Sequence, residues 1–271
     1  MTQVASGIAY AGRTGTIEPA PLPGGRIPRP SWVDRLTDRL GTVRAEDFSL
    51  FVPPDEGGRE SAVLILFGPP PAVLATPAPD ASDSPDASPG SDASAAPDAV
   101  EEDAHVVLLE RSHDMRSHPA QIAFPGGARD PEDSDDVATA LREAQEETGL
   151  DPSGVDVVAT LPSLFIPFSG FVVTPVLGWW AHPSTLSVRD PNEVHDVLSV
   201  PVSHLVAPAT RFSVTHPSGY VGPGFGLDDL LLWGFTAGLL GRVLDLAGLE
   251  QPWDASVHRP LPERYVGGGR G

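Results

Sequence analysis

The sequence predicts an α+β protein in which a mixed β-sheet is sandwiched between helices, an α/β/α arrangement. Three observations carry this expectation. Short apolar runs of strand length alternate with segments of helical period. The elements follow in the order helix, strand, loop, strand, helix, several strands, helix, as a sheet covered by helices requires. Finally, 271 residues with 40% hydrophobic content suffice for one core of ordinary size.

The first helix is expected over Ser31 to Leu40, with Ser31 as its N-cap, Trp32, Val33, Leu36 and Leu40 at helical spacing, and Gly41 as its stop. Residues 1–30, rich in Gly and Pro without a sustained period, read as a flexible arm, and residues 31–60 as the helix and a linker. Ala62 to Phe67 (AVLILF) reads as a buried strand. From 76 to 104 the chain becomes low in complexity, with eight acidic residues and no basic one, and is expected to be a disordered acidic insert. Loop-closure cost rises by only about 0.6 kcal/mol per doubling of length, so a core tolerates such an insert between two strands. Strands follow at Val106 to Leu109, Val155 to Leu161, Phe171 to Trp180 and Val194 to Val202. Asp228 to Ala247 reads as a largely apolar closing helix, and residues 251–271 as a flexible tail. The folded domain is therefore expected over 61–250.

Formal net charge is −20, of which the insert carries −8, and all 17 basic residues are Arg. Such a chain lacks the basic footprint of a nucleic-acid or anionic-membrane binder. The absence of Cys excludes disulfides, thiolate metal sites and a Cys nucleophile. No basic n-region precedes an apolar core at the N-terminus, and the longest apolar segment, Leu230 to Gly241, is too short to span a bilayer. A cytoplasmic protein acting on a small molecule is expected, with a homodimer as an option.

The chemistry concentrates between Phe124 and Leu150, FPGGARDPEDSDDVATALREAQEETGL. A Gly-Gly turn and an acidic loop lead into a helical pattern that places Glu143, Glu146 and Glu147 at i, i+3 and i+4 on one face. Three like charges on adjoining turns repel unless a cation sits among them. Taken alone, such a triplet is usually a solvated helix face. Carboxylate donors without thiolate or paired imidazole suit a hard ion, Mg²⁺ or Mn²⁺. Arg142 can orient these carboxylates through charge-assisted hydrogen bonds, and Gly149 can end the helix in left-handed geometry.

Arg142, Glu143, Ala144, Glu146, Glu147, Gly149 and Leu150 match, position by position, the second half of the Nudix box, and the stretch resembles that family. Its first half is one residue longer, which leaves Asp133 and Ser134 as alternatives for the first acidic position. That extra residue, with Leu108, Leu109, Arg111, Ser112, Arg116 and Phe124 to Gly127 upstream, resembles the coenzyme A diphosphatase branch. Ala120 stands where that signature has Gly. Ser169-Gly170-Phe171, Thr174-Pro175 and Leu232-Trp233-Gly234 are similar to later parts of the branch.

The resemblance spans about residues 60–248 and implies a Nudix fold that cleaves the diphosphate of coenzyme A or its thioesters. It implies Glu143 and Glu147 as central metal ligands, Glu146 as a further one and the Gly127 carbonyl as another option. Alternative substrates are ADP-ribose, NADH or another nucleoside diphosphate derivative; a non-catalytic sensing module is a third reading. Arg111 and Arg116 suit substrate phosphates, or equally surface ion pairs. Glu193 looks like the late acid that many Nudix enzymes bring to the metal or use as base, against a solvated loop acid. His113, His118 and His195 lack helical ligand spacing and read as surface or packing residues.

Overall fold

The computed structural model describes residues 16–19, 25–48, 53–54, 57–71, 104–115, 118–167 and 169–266. Along these, β1 is Thr16–Ile17, α1 Ser31–Leu40, β2 Arg59–Gly68, β3 His105–Arg111, β4 Ile122–Ala123 and β5 Gly126–Ala128. Helix α2 spans Asp136–Thr148, and β6 Val155–Thr160, β7 Leu164–Ile166, β8 Phe171–Trp180, β9 Leu186–Ser187 and β10 Val194–Pro201 follow. The chain continues through α3 Val202–Val206, β11 Arg211–Thr215, β12 Val221–Leu227 and β13 Leu230–Leu232. It closes with α4 Gly234–Ala247, β14 His258–Pro260 and α5 Glu263–Val266.

The main sheet runs β10-β3-β2-β8-β6, with β4, β5 and β7 paired alongside β3, β2 and β8. It is mixed: β2 and β8 are parallel in register from Arg59↔Phe171 to Phe67↔Trp179, and its other pairings are antiparallel. Strand alternation then makes two apolar layers. Ile65, Phe67, Val106, Leu108, Leu177 and Trp179 face α1 and α4, whereas Leu64, Leu66, Val107, Leu109 and Val176 face Ala140 and Ala144 of α2. The expected sheet between helices is what forms.

Helix α1 buries Trp32, Val33 and Leu36, with the Trp32 ring edge-on to Phe67 at 5.1 Å between centroids. Burying a side chain of this kind contributes roughly 1.5–3 kcal/mol, an upper value because an unfolded chain already hides some surface. Pro30 takes the N-cap position, so Ser31 is the first helical residue and accepts a hydrogen bond from Arg35 rather than capping the helix.

Three expectations need correction, and a fourth, the acidic insert, falls almost wholly outside the described residues. The N-terminal arm is anchored at points along its described residues: β1 pairs with β9, the Ile27 amide donates to the Ala181 carbonyl, and Trp179 Nε1 donates to the Ile27 carbonyl at 3.1 Å. The insert lies outside the described residues except Ala104, which is buried and accepts from the Val202 amide. The supposed long closing helix begins as β13, which pairs with β12, and becomes helical only at Gly234. Residues beyond 250 are not a loose tail up to Val266, because β14 runs parallel to β11, and Leu261 and Tyr265 are buried. These pieces complete a second sheet, β13-β12-β11-β14. Arg211 sits at its base with 2% side-chain exposure, 2.9 Å from Glu250 and over the rings of Phe225 and Trp253.

Residues 72–103 join β2 to β3 at one end of the main sheet, where Phe67 pairs with Val106 and Gly68 with His105. The opposite end of β2 carries the pairs Ala62↔Gly127 and Val63↔Gly126. The acidic helix sits beside that second end.

Candidate active site

Helix α2 starts where Asp135 accepts a hydrogen bond from the Ala138 amide at 2.8 Å and ends where Gly149 turns left-handed at φ 72°. Its small residues Ala140 and Ala144 let the helix approach the sheet closely. The three glutamates therefore share a helix face at graded depth. Glu147 is buried, Glu143 has 16% of its side chain exposed, and Glu146 has 59%.

The Gly-Gly turn is shaped to meet them. Gly126 has φ 154°, and a Cβ there would lie 2.3 Å from the Ala62 carbonyl oxygen, so only glycine fits. Its amide donates to Glu147 Oε2 at 2.9 Å. A Cβ on Gly127 would lie 2.5 Å from the Glu143 carboxyl group, so any larger residue there would push that carboxyl from the position it holds.

Arg142 ties the helix to the acidic loop. Its Nε and Nη2 donate to Asp133 at 3.0 and 2.9 Å, Nη2 also to the Ala128 carbonyl, and Nη1 to Glu143 and Glu146 at 3.0 Å each. Asp133 further accepts from Thr139 Oγ1 and from the Asp130 amide, both at 2.9 Å. Of the two alternatives for the first acidic position, Asp133 is the residue whose carboxylate enters this network. The Ser134 carbonyl only accepts from Arg129. The Arg142 hydrogen bonds hold the Asp133 carboxyl well below the ordinary Asp range, and Asp133 in turn holds the guanidinium firmly charged.

Across the sheet, Val194 pairs with Arg111 and the Ser112 amide donates to the Glu193 carbonyl at 2.8 Å, so neighbouring strand ends carry Arg111 and Glu193. Both reach the helix acids electrostatically. Burial pushes Glu147 up to about 8, against the Gly126 hydrogen bond and the Arg111 charge, while Glu143 and Glu193 add to the rise. Glu143 is also raised, by burial first, with Arg142 opposing and Glu146 and Glu193 contributing. Arg111 Nε is buried and makes no hydrogen bond among the described residues.

The fold thus brings together Glu143, Glu147, Glu193 and Arg111, with Glu146 at the rim. Arg116 lies outside the described residues. Two features escaped the sequence reading. Arg129 lies 3.4 Å from Glu60 and 3.6 Å from Asp136 and helps hold the loop, although the sequence gives no sign of it. His113 and His195 stack with ring centroids 4.3 Å apart; their nearness to Arg111 and Glu193 in the chain was the available signal.

An oxygen-only cluster of this kind fits a hard divalent cation. Burial first, and neighbouring carboxylates after it, raise the proton affinity of Glu143 and Glu147, and a positive ion there would offset both the burial cost and the repulsion.

Residues 93–217 match the NUDIX domain model. The chain is 36% identical over 158 residues to a Mus musculus protein named peroxisomal coenzyme A diphosphatase NUDT7, covering 54% of this chain and 65% of that protein, just under two thirds. It is 36% identical over 156 residues to the Nudix hydrolase NudL of Enterobacter sp., covering 55% of this chain and 78% of the relative. Nudix hydrolase 15, mitochondrial, from Arabidopsis thaliana is 34% identical over 160 residues, 55% of each chain. A crystal structure of a Nudix hydrolase from M. smegmatis, RenU, superposes with a TM-score of 0.41 at 17% identity, over 73% of this chain and 95% of that one. With an intact glutamate helix, its glycine turn and a relative matched over most of its length, the chain belongs to the Nudix hydrolase family.

Proposed function

We propose that the protein hydrolyses the diphosphate bond of coenzyme A or its thioesters, giving 3',5'-ADP and (acyl-)4'-phosphopantetheine, with Mg²⁺ or Mn²⁺ as cofactor. The observation that carries this reading is Arg111. It belongs to the upstream signature of the coenzyme A diphosphatase branch, and it stands within electrostatic reach of Glu147 with a buried Nε still available. Guanidinium donors suit phosphate oxygens, and an acidic protein needs a local cation to admit a dianionic linkage.

Glu143 and Glu147 would hold the cation, Glu146 would add a ligand from the rim, and the Gly127 carbonyl is a further donor. When bound, such an ion neutralises charge on the diphosphate and lowers the pKa of a water. Arg142 fixes the Glu143 and Glu146 carboxylates from behind, so their geometry is set before substrate arrives. Arg111 binds substrate phosphate, and Arg116 is proposed for the same task from the same signature. Glu193 is proposed as the group that accepts the proton of the attacking water, since it lies within electrostatic reach of both central glutamates. A cytoplasmic location is likewise a proposal. Among the described residues, no helix is long and apolar enough to cross a membrane.

Ala120 bears on the choice of substrate. It has φ 57°, the left-handed conformation that glycine adopts freely, so the departure from the signature leaves the turn in the form a glycine would give. The test is metal-dependent hydrolysis of coenzyme A, ADP-ribose and NADH at equal metal concentration. Coenzyme A or its thioesters should be turned over fastest; a strong preference for ADP-ribose or NADH would replace this substrate. Glu143→Gln should lower turnover by about 10²–10⁴ with melting unchanged. Parent-like turnover in that variant would remove the helix glutamates from the mechanism.

A further inference from the structure

Glu110, His113 and His195 gather on the other side of the sheet from the glutamate helix. Strand β3 alternates, with Leu109 facing α2 and Leu108 facing α4, so Arg111 follows the first side and Glu110 the second. Glu110 is buried at 2% exposure, and His113 Nε2 lies 2.8 Å from its Oε1. His195 reaches the same spot through an irregularity. The pairing of β10 with β3 shifts register between Val194, opposite Arg111, and Asp196, opposite Glu110, which makes His195 the extra residue of a β-bulge. Bulges re-aim a side chain that a regular strand would direct elsewhere. Here the imidazole lies against His113, with ring planes 28° apart.

One donor atom from each of Glu110, His113 and His195 lies within 4.8 Å of the other two. We propose that Glu110, His113 and His195 form a second divalent-metal site, for a borderline transition ion such as Zn²⁺. Two imidazole nitrogens and one carboxylate oxygen are the donor set that such an ion prefers, whereas the all-oxygen cluster on α2 favours a hard one. A tetrahedral ion about 2.0–2.2 Å from each donor needs donors roughly 3.3 Å apart, so side-chain shifts of about 1 Å complete the site. Glu110 is anchored in a strand, and the two histidines are exposed at their outer side, which gives an ion access from solvent. Three protein donors leave one position for water or an anion. The site also joins two chain segments that matter elsewhere: His113 follows Ser112, whose amide holds the Glu193 carbonyl, and His195 lies two residues beyond Glu193. An ion there would clamp the strand ends that carry Arg111 and Glu193.

The test is Co²⁺ titration of the full chain in saturating Mg²⁺, followed by visible d–d absorption, with Zn²⁺ competition against a chelating dye. One equivalent should bind to the parent and to Glu143→Gln, and the signal should be lost in a His113→Ala/His195→Ala variant. Both substituted residues are exposed, and an unchanged melting temperature without metal verifies that the variant folds. Glu110→Gln should also weaken binding. Equal Co²⁺ spectra and stoichiometry in parent and double-histidine variant would overturn the proposal, as would no binding by the parent at about 100 µM metal. Binding lost in Glu143→Gln yet kept in the histidine variant would assign the ion to the glutamate helix instead and equally overturn it.

Discussion

Asp133→Asn tests the network that positions the glutamate helix. The parent carboxylate has 6% of its side chain exposed and accepts from Arg142 twice, from Thr139 and from the Asp130 amide. Hydrogen bonds to a charged group contribute about 1.5–3 kcal/mol, and breaking a buried pair costs more when a charge is left bare. Arg142 is not left bare, because Glu143, Glu146 and the Ala128 carbonyl still hold it. The net loss should therefore be about 2 kcal/mol at pH 7, or a melting temperature lower by about 4–8 °C for a domain of this size. The sign with pH is fixed by the lowered carboxyl. Its stabilisation is present above the ordinary Asp value of 3.8 and disappears as pH falls toward the depressed native value, so the gap between variant and parent should close in acid. Turnover should fall about tenfold or more, as when a ligand loses its supporting hydrogen bonds. Thermal melting from pH 3 to 8, with initial rates on coenzyme A, measures both. Parent-like melting at pH 7 together with parent-like rates would refute the role assigned to Asp133.

Two further predictions follow from the raised glutamate and the strained turn. Without divalent metal, Glu147 keeps its proton up to about 8 in the fold, whereas the unfolded chain releases it near 4.5. Stability should then decline as pH rises between those values, by about 4 kcal/mol at pH 8, and Glu147→Gln in EDTA should abolish the decline and melt higher than the parent at pH 8. An identical pH dependence of melting in parent and variant would count against it. Ala120→Gly relieves a left-handed alanine that packs against the cluster of Phe212, Val214, Leu231, Leu261 and Tyr265, and should raise stability by up to about 1 kcal/mol; a lower melting temperature would show that the methyl contact outweighs the strain.

The glutamates, Arg142 and Gly149 were legible because helical spacing is a local property, and spacing alone decides which side chains share a face. Asp133 against Ser134 was not, since a loop has no period and its register is set by where Arg142 reaches. Residues 211–232 form three strands of the second sheet, but Gly222, Pro223, Gly224 and Gly226 hide strand alternation in β12. In β13, three consecutive leucines fit a helix as well as a strand. The segment after 250 looked loose because its anchors, Leu261, Tyr265 and the Trp253 ring over Arg211, are single residues that pair with distant parts of the chain. His113 and His195 looked unrelated for a similar reason: a bulge, and not sequence spacing, makes them neighbours.

The β2–β3 connection leaves and re-enters the sheet at the end remote from Gly126, Gly127 and Arg111. Seven strand residues at about 3.3 Å each put some 20 Å between that junction and the end beside the glutamate helix. The chain can therefore lengthen, shorten or change its composition between Pro71 and Ala104 under little constraint from chemistry at the other end. The junction is also a natural graft point, where a fluorescent reporter or an affinity handle could be spliced in while the end that carries the glutamate helix stays in register.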